Sequence, residues 1–139
     1  MGADVPVSGP WIRIGTGSRN YAELEPGQEI PIIAGIQGGF HVWGSFIGGG
    51  FPGTEARIDF WLTADGTELA AAHYSEPEVR RPKESEAFEF DYGGVSVVFA
   101  SNDDVEPNSG RTMVLSVRVE DGDGTVLTDE IEIVPICCE

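Results

Sequence analysis

Met113-Val114-Leu115-Ser116-Val117-Arg118-Val119-Glu120 alternates strictly, with Met113, Leu115, Val117 and Val119 on one face and Val114, Ser116, Arg118 and Glu120 on the other. Asp121-Gly122-Asp123-Gly124 follows with the composition of a turn, and 125–134 runs back with Ile131 and Ile133 on the inward side and Glu130 and Glu132 on the outward side. Side chains of a strand point alternately to opposite faces, so this stretch predicts an antiparallel hairpin with one dry face.

The same pattern extends backwards through the chain. Residues 56–63 place Ile58, Phe60 and Leu62 on one face and Arg57, Asp59 and Trp61 on the other, and Asp65-Gly66 predicts a tight hairpin into 68–74. Residues 37–48 alternate Phe40, Val42, Gly44 and Phe46 with His41, Trp43, Ser45 and Ile47. Earlier still, 11–14 reads as a strand. Residues 21–24 and 29–33 read as a hairpin through Glu25-Pro26-Gly27-Gln28, which has Pro and Gly where a type II turn needs them. Residues 87–92 and 95–100 flank Gly93-Gly94, either as two strands or as one bent by a glycine bulge. The stretch 75–85 reads as a surface crossing, and 101–110 as a polar loop.

Short strands separated by turn signals predict an all-β domain, an immunoglobulin-like two-sheet antiparallel β-sandwich of about seven to nine strands. At 139 residues the chain is one domain long. Residues 1–9 form an N-terminal arm, and 135–139 a tail carrying a cysteine pair. The Cys-Trp-Cys pattern of antibody domains is absent, so the expectation concerns architecture alone.

A net charge of -16 excludes nucleic acid as a partner, because displacing the counterions of a phosphate backbone takes clustered cations. Arg80, Arg81 and Lys83 make the single basic patch, and Glu76, Glu78, Glu84 and Glu86 surround it. No apolar run approaches the roughly 18 residues of a membrane span. Met1-Gly2-Ala3 reads as an expression start ahead of a mature sequence, which leaves room for a signal peptide or lipid anchor in a precursor.

Gly35-Ile36-Gln37-Gly38-Gly39-Phe40-His41-Val42-Trp43 is the most distinctive string. It resembles a Gly-x-Gln-Gly-Gly-aromatic-His-aliphatic-Trp signature of uncharacterised secreted or lipoprotein-type domains of myxobacterial type. In those domains a stretch like Gly27-Gln28-Glu29-Ile30-Pro31-Ile32 precedes the signature, and a hairpin like 111–132 closes the domain. The resemblance implies an extracytoplasmic address (periplasm, outer-membrane lipoprotein or secreted) and carries no activity with it. In the residues themselves, His41 and Trp43 share a face at period 2 and, with Trp61, form a candidate ligand-binding patch. The bland alternative is a half-buried histidine bonded to backbone beside a tryptophan that covers sheet.

Cys137-Cys138 has no other cysteine in the chain to pair with. Three outcomes stand: a vicinal disulfide, a disulfide to another chain, or thiols that bind a soft metal. In the last, Cys137 and Cys138 recruit His41 or His73 around copper or zinc. Cupredoxins are excluded because no histidine follows His73. Asp121-Gly122-Asp123-Gly124 with Glu130 has part of a calcium-loop spacing, yet Val119 falls where the first oxygen ligand belongs, so a plain turn is expected.

No nucleophile elbow or phosphate-binding loop is present, and a catalytic carboxylate pair cannot be singled out among 24 acidic residues. The expectation is a non-catalytic domain that binds a protein partner or its own copies at the cell envelope, against a small copper- or zinc-binding protein as the alternative.

Overall fold

The computed structural model describes residues 10–35, 38–49, 56–76, 90–122 and 124–138, and among them nine strands form. They are β1 (Trp11–Thr16), β2 (Ala22–Glu23), β3 (Gln28–Ala34), β4 (Phe40–Gly49), β5 (Ala56–Ala64), β6 (Thr67–Glu76), β7 (Phe90–Phe99), β8 (Met113–Asp121) and β9 (Val126–Cys137). The arm 1–9, most of the 75–85 crossing with its basic patch, and Ile36, Gln37 and Glu139 lie outside the described residues.

The local hairpins form where alternation and turn chemistry place them. β8 and β9 pair from Met113↔Ile133 to Glu120↔Val126, and Asp121 closes the turn by accepting the Thr125 N–H on its carboxylate at 3.0 Å. β5 and β6 join through Asp65 and Gly66 at φ 51° and 82°, the left-handed pair that a two-residue hairpin turn requires.

The global arrangement corrects the two-sheet expectation. β4 pairs β3, β3 pairs β9, and the order continues β8, β5, β6, β7 and back to β4, so seven strands close into a barrel. β1 continues the line of β3 along β4, and β2 pairs the far edge of β1. Two short contacts complete the ring: Ile33↔His41 with Ala34↔Phe40, and Ala70↔Phe99 with Ala71↔Val98. Alternation specifies which face is buried but leaves open which edges meet, which is why closure is invisible in the pattern.

The expected 21–24/29–33 hairpin is also corrected. Its turn forms, with Gly27 at φ 79° and Gln28 N–H donating to Glu25 C=O at 3.0 Å. The two flanking segments never pair with each other. Gly27 N–H donates to Glu132 C=O at 2.8 Å, and β3 then runs parallel to β9 from Gln28↔Ile133 to Ile32↔Cys137. Pro31 is tolerated because β3 pairs β4 only at its last two residues, leaving the Pro31 stretch with a free side for the missing N–H. β9 accordingly continues through Pro135 to Cys137, residues read from sequence as tail.

Inward residues of the ring make one core, in which Ile32, Val42, Phe46, Ile58, Phe60, Leu62, Val97, Leu115, Val117 and Ile133 are fully buried. Phe46 and Phe60 lie 6.3 Å apart between ring centroids, and a Cβ on Gly44 would fall 2.8 Å from the Phe60 ring, so β4 has no side chain there because Phe60 fills the space. β7 is one strand carrying one extra residue at Gly93-Gly94. The 17–20 segment lies over this bulge: Gly94 N–H donates to Gly17 C=O at 3.1 Å, and Tyr21 N–H to the Asp91 carboxylate at 3.1 Å. Residues read as a polar loop hold a 3-10 turn, Asn102–Asp104, and one α turn, Val105–Asn108.

Candidate functional site

Gly35, Gly38 and Gly39 of the glycine-rich string lie between β3 and β4. Gly35 N–H donates to Gly39 C=O at 2.7 Å, Gly38 N–H to Gly35 C=O at 3.2 Å, and Gly38 sits at φ 88°. Asn102 donates its amide to Gly38 C=O at 2.9 Å, pinning the turn to the 3-10 segment. The turn delivers His41 and Trp43 to the outer wall of β4, edge to face, with ring centroids 4.5 Å apart at 76°. Ile33 of β3 and Val98 of β7 are the cross-strand partners of His41, and Val98 is 45% exposed.

Trp61 lies on the same exterior but elsewhere on it. The row runs Trp61, Ala71, Val98, His41, Ile33 across five strands, so Trp61 stands three strand spacings from His41, about 14 Å at ~4.8 Å per strand. The structure therefore joins His41 to Trp43 and leaves Trp61 apart.

Nε2 of His41 is shielded from solvent and has no hydrogen-bond partner among the described residues. Burial pushes the His41 pKa below 6.5. The unfolded chain then takes up the proton first, so this contribution to stability is complete above about pH 6.5 and is lost as pH falls toward the lowered folded value. Urea midpoints measured between about pH 5 and 7.5 should fall toward acid, and His41→Phe should flatten that slope. Equal slopes in the two proteins would remove His41 from the account.

A second cluster escaped the sequence reading. Asp59, 8% exposed on the outer wall of β5, accepts from or pairs with His73 Nδ1 at 2.7 Å, and lies 3.7 Å from Arg57 Nε and 3.9 Å from Arg118 Nη1. Arg118 also holds Glu120 at 3.1 Å. A β-bulge between Leu62 and Thr63 shifts the β5–β6 register by one residue, which sets His73 rather than Ala72 opposite Asp59. The arrangement is a cross-strand charge network whose members satisfy one another, and the signal for it was the lone carboxylate in the middle of a strand.

Cys137 and Cys138 stand as a vicinal disulfide at the end of β9, and the Cys137 N–H donates to Ser109 Oγ at 2.7 Å. In this state neither sulfur is a thiolate. Cys137 faces Ile32 of β3, His41 stands on β4, and His73 on β6 is engaged with Asp59. Among the described residues no group of three or more His, Cys, Asp and Glu side chains is placed to hold an ion. Asp123 of the acidic turn lies outside the described residues.

Comparison with protein-family models, with curated proteins and with solved structures finds no match to this chain.

Proposed function

We propose that the protein is a non-catalytic, extracytoplasmic binding domain that associates with protein surfaces, its own copies first, through the outer wall of β3, β4 and β7. The observation that carries this reading is the patch Ile33, His41, Trp43 and Val98, extended by Ser96 and Ala71: neighbours across strands with no carboxylate, guanidinium or ammonium, on a chain of net charge -16. Acidic surfaces keep copies apart, so an uncharged aromatic patch is where they can approach at least cost. The extracytoplasmic address rests on the resemblance of residues 35–43 to secreted or lipoprotein-type domains.

Sedimentation velocity across a concentration series tests this. Wild type should self-associate reversibly, and Val98→Asp, which places a carboxylate among the uncharged residues of the patch, should weaken the dimer at least about tenfold. A wild-type chain that stays monomeric to ~1 mM would end the self-assembly reading.

A further inference from the structure

Among the described residues, β1 and β9 flank a seam that no strand ladder closes. β9 meets a neighbour on its β3 side only from Glu132 onward, where Glu132 C=O accepts the Gly27 N–H, leaving Val126 to Ile131 without a ladder there among the described residues. β1 lies alongside this stretch, and among the described residues its own second edge pairs only at Gly15 and Thr16, with β2. Between the two lies a cavity of about 470 Å³, whose lining is apolar at Ile14, Leu24, Pro26, Val114 and Ile131 and charged at Asp129, Glu130, Glu132 and Arg13.

Side chains bridge the seam, which is narrower than the roughly 9.6 Å, two strand spacings, that an inserted strand takes up. Ile14 N–H donates to Asp129 Oδ2 at 2.8 Å, and Ile14 C=O accepts from the Tyr21 hydroxyl at 3.4 Å. One residue of an antiparallel neighbour would supply the same two groups, a carbonyl acceptor and an N–H donor. Asp129 continues the inward series of Ile131 and Ile133, so a carboxylate stands where β9 otherwise turns apolar side chains to the core.

We infer that the β1–β9 seam, held closed by the bonds of Asp129 and Tyr21 to Ile14, opens to receive an extended basic peptide by strand addition, the peptide backbone displacing both side chains. Charge selects this occupant. A displaced Asp129 needs a cation, Glu130 and Glu132 add to that demand, and Arg13 is the one cation among the residues that line the cavity. The apolar lining accepts the alternate side chains of the same strand. A second copy of this acidic chain is disfavoured at the seam by the same charges, so this site is separate from the β3–β4–β7 patch and does not depend on it.

The test titrates the ¹⁵N-labelled full chain with a capped peptide alternating Lys and Val, and with a Lys/Gly peptide of equal charge. The Lys/Val peptide should bind saturably and at least about tenfold tighter, shifting the amides of Ile14, Thr128 and Glu130. Asp129→Asn keeps an acceptor but removes the charge and should weaken binding about tenfold, while Tyr21→Phe removes a competing donor and should tighten it. Equal affinity for the two peptides would show only attraction to an acidic surface and overturn the proposal. So would shifts confined to Trp43 and Val98, which would move the peptide to the patch, or an affinity that neither substitution changes.

Discussion

Phe60→Ala should lower stability by about 3–5 kcal/mol, close to the upper end for a single core truncation. Phe60 is fully buried in the middle of β5, packs against Phe46, and fills the space above Gly44 where β4 carries no side chain. The strands around it are held in register by full ladders, β5 to β6 on one side and β5 to β8 on the other, so the wall cannot collapse into the void. In a domain of this length the loss corresponds to about 10–20 °C in Tm. A double variant, Phe60→Ala with Gly44→Ala, should recover part of it, because the new methyl group enters the vacated volume. If truncation costs below about 1 kcal/mol, the ring is not the centre of the core.

Gly17→Ala should cost about 3 kcal/mol or more for two separate reasons. Gly17 sits at φ 121°, where L side chains are strained, and a Cβ built there would lie 1.9 Å from the Asn20 carbonyl oxygen. The segment cannot easily retreat, because Gly17 C=O accepts the Gly94 N–H and a Cβ on Gly93 would itself come within 2.6 Å of Arg19 C=O. Gly27→Ala is the control: its φ is 79°, yet nothing lies within 4 Å of the added atom, so only the conformational penalty of about 1 kcal/mol remains. Thermal melts of the two variants side by side separate contact from conformation. Equal shifts would mean that the 17–20 segment gives way and does not clamp β7.

These two residues also mark the limit of what the sequence discloses. Phe60 was legible as core, because Ile58, Phe60 and Leu62 repeat at period 2 and Asp65-Gly66 names its turn; both signals act over a few residues. Gly17 was legible only as a loop glycine, since the hydrogen bond that holds its segment in place comes from Gly94, far along the chain. Closure of the barrel failed to show for the same reason. It rests on a parallel pairing between Gln28 and Ile133 that no local turn announces, and the turn that was read correctly at Pro26-Gly27 was assigned the wrong partner. At the candidate patch, period 2 joined His41 to Trp43 within one strand, but Trp61 could be located only once the strand order was known. The Asp59 network was hidden by a one-residue bulge: counted outward from a regular turn, Asp59 meets Ala72 and not His73.

The β3–β9 ladder has a consequence for synthesis. Gln28 leaves the ribosome well ahead of Ile133, and at about 5–20 residues per second the interval between them is on the order of 5–20 s. Throughout that time β3 has no β9 to complete it, while β4 and β5 already present apolar faces. Pro31 sits in the middle of β3 and cannot donate to an intruding chain, which makes it a guard for the nascent edge as well as a residue of the finished wall. Chaperone demand during translation should therefore peak before the last strand emerges, and a Pro31→Val chain, equally apolar and a better strand former, should aggregate more on the ribosome than after release.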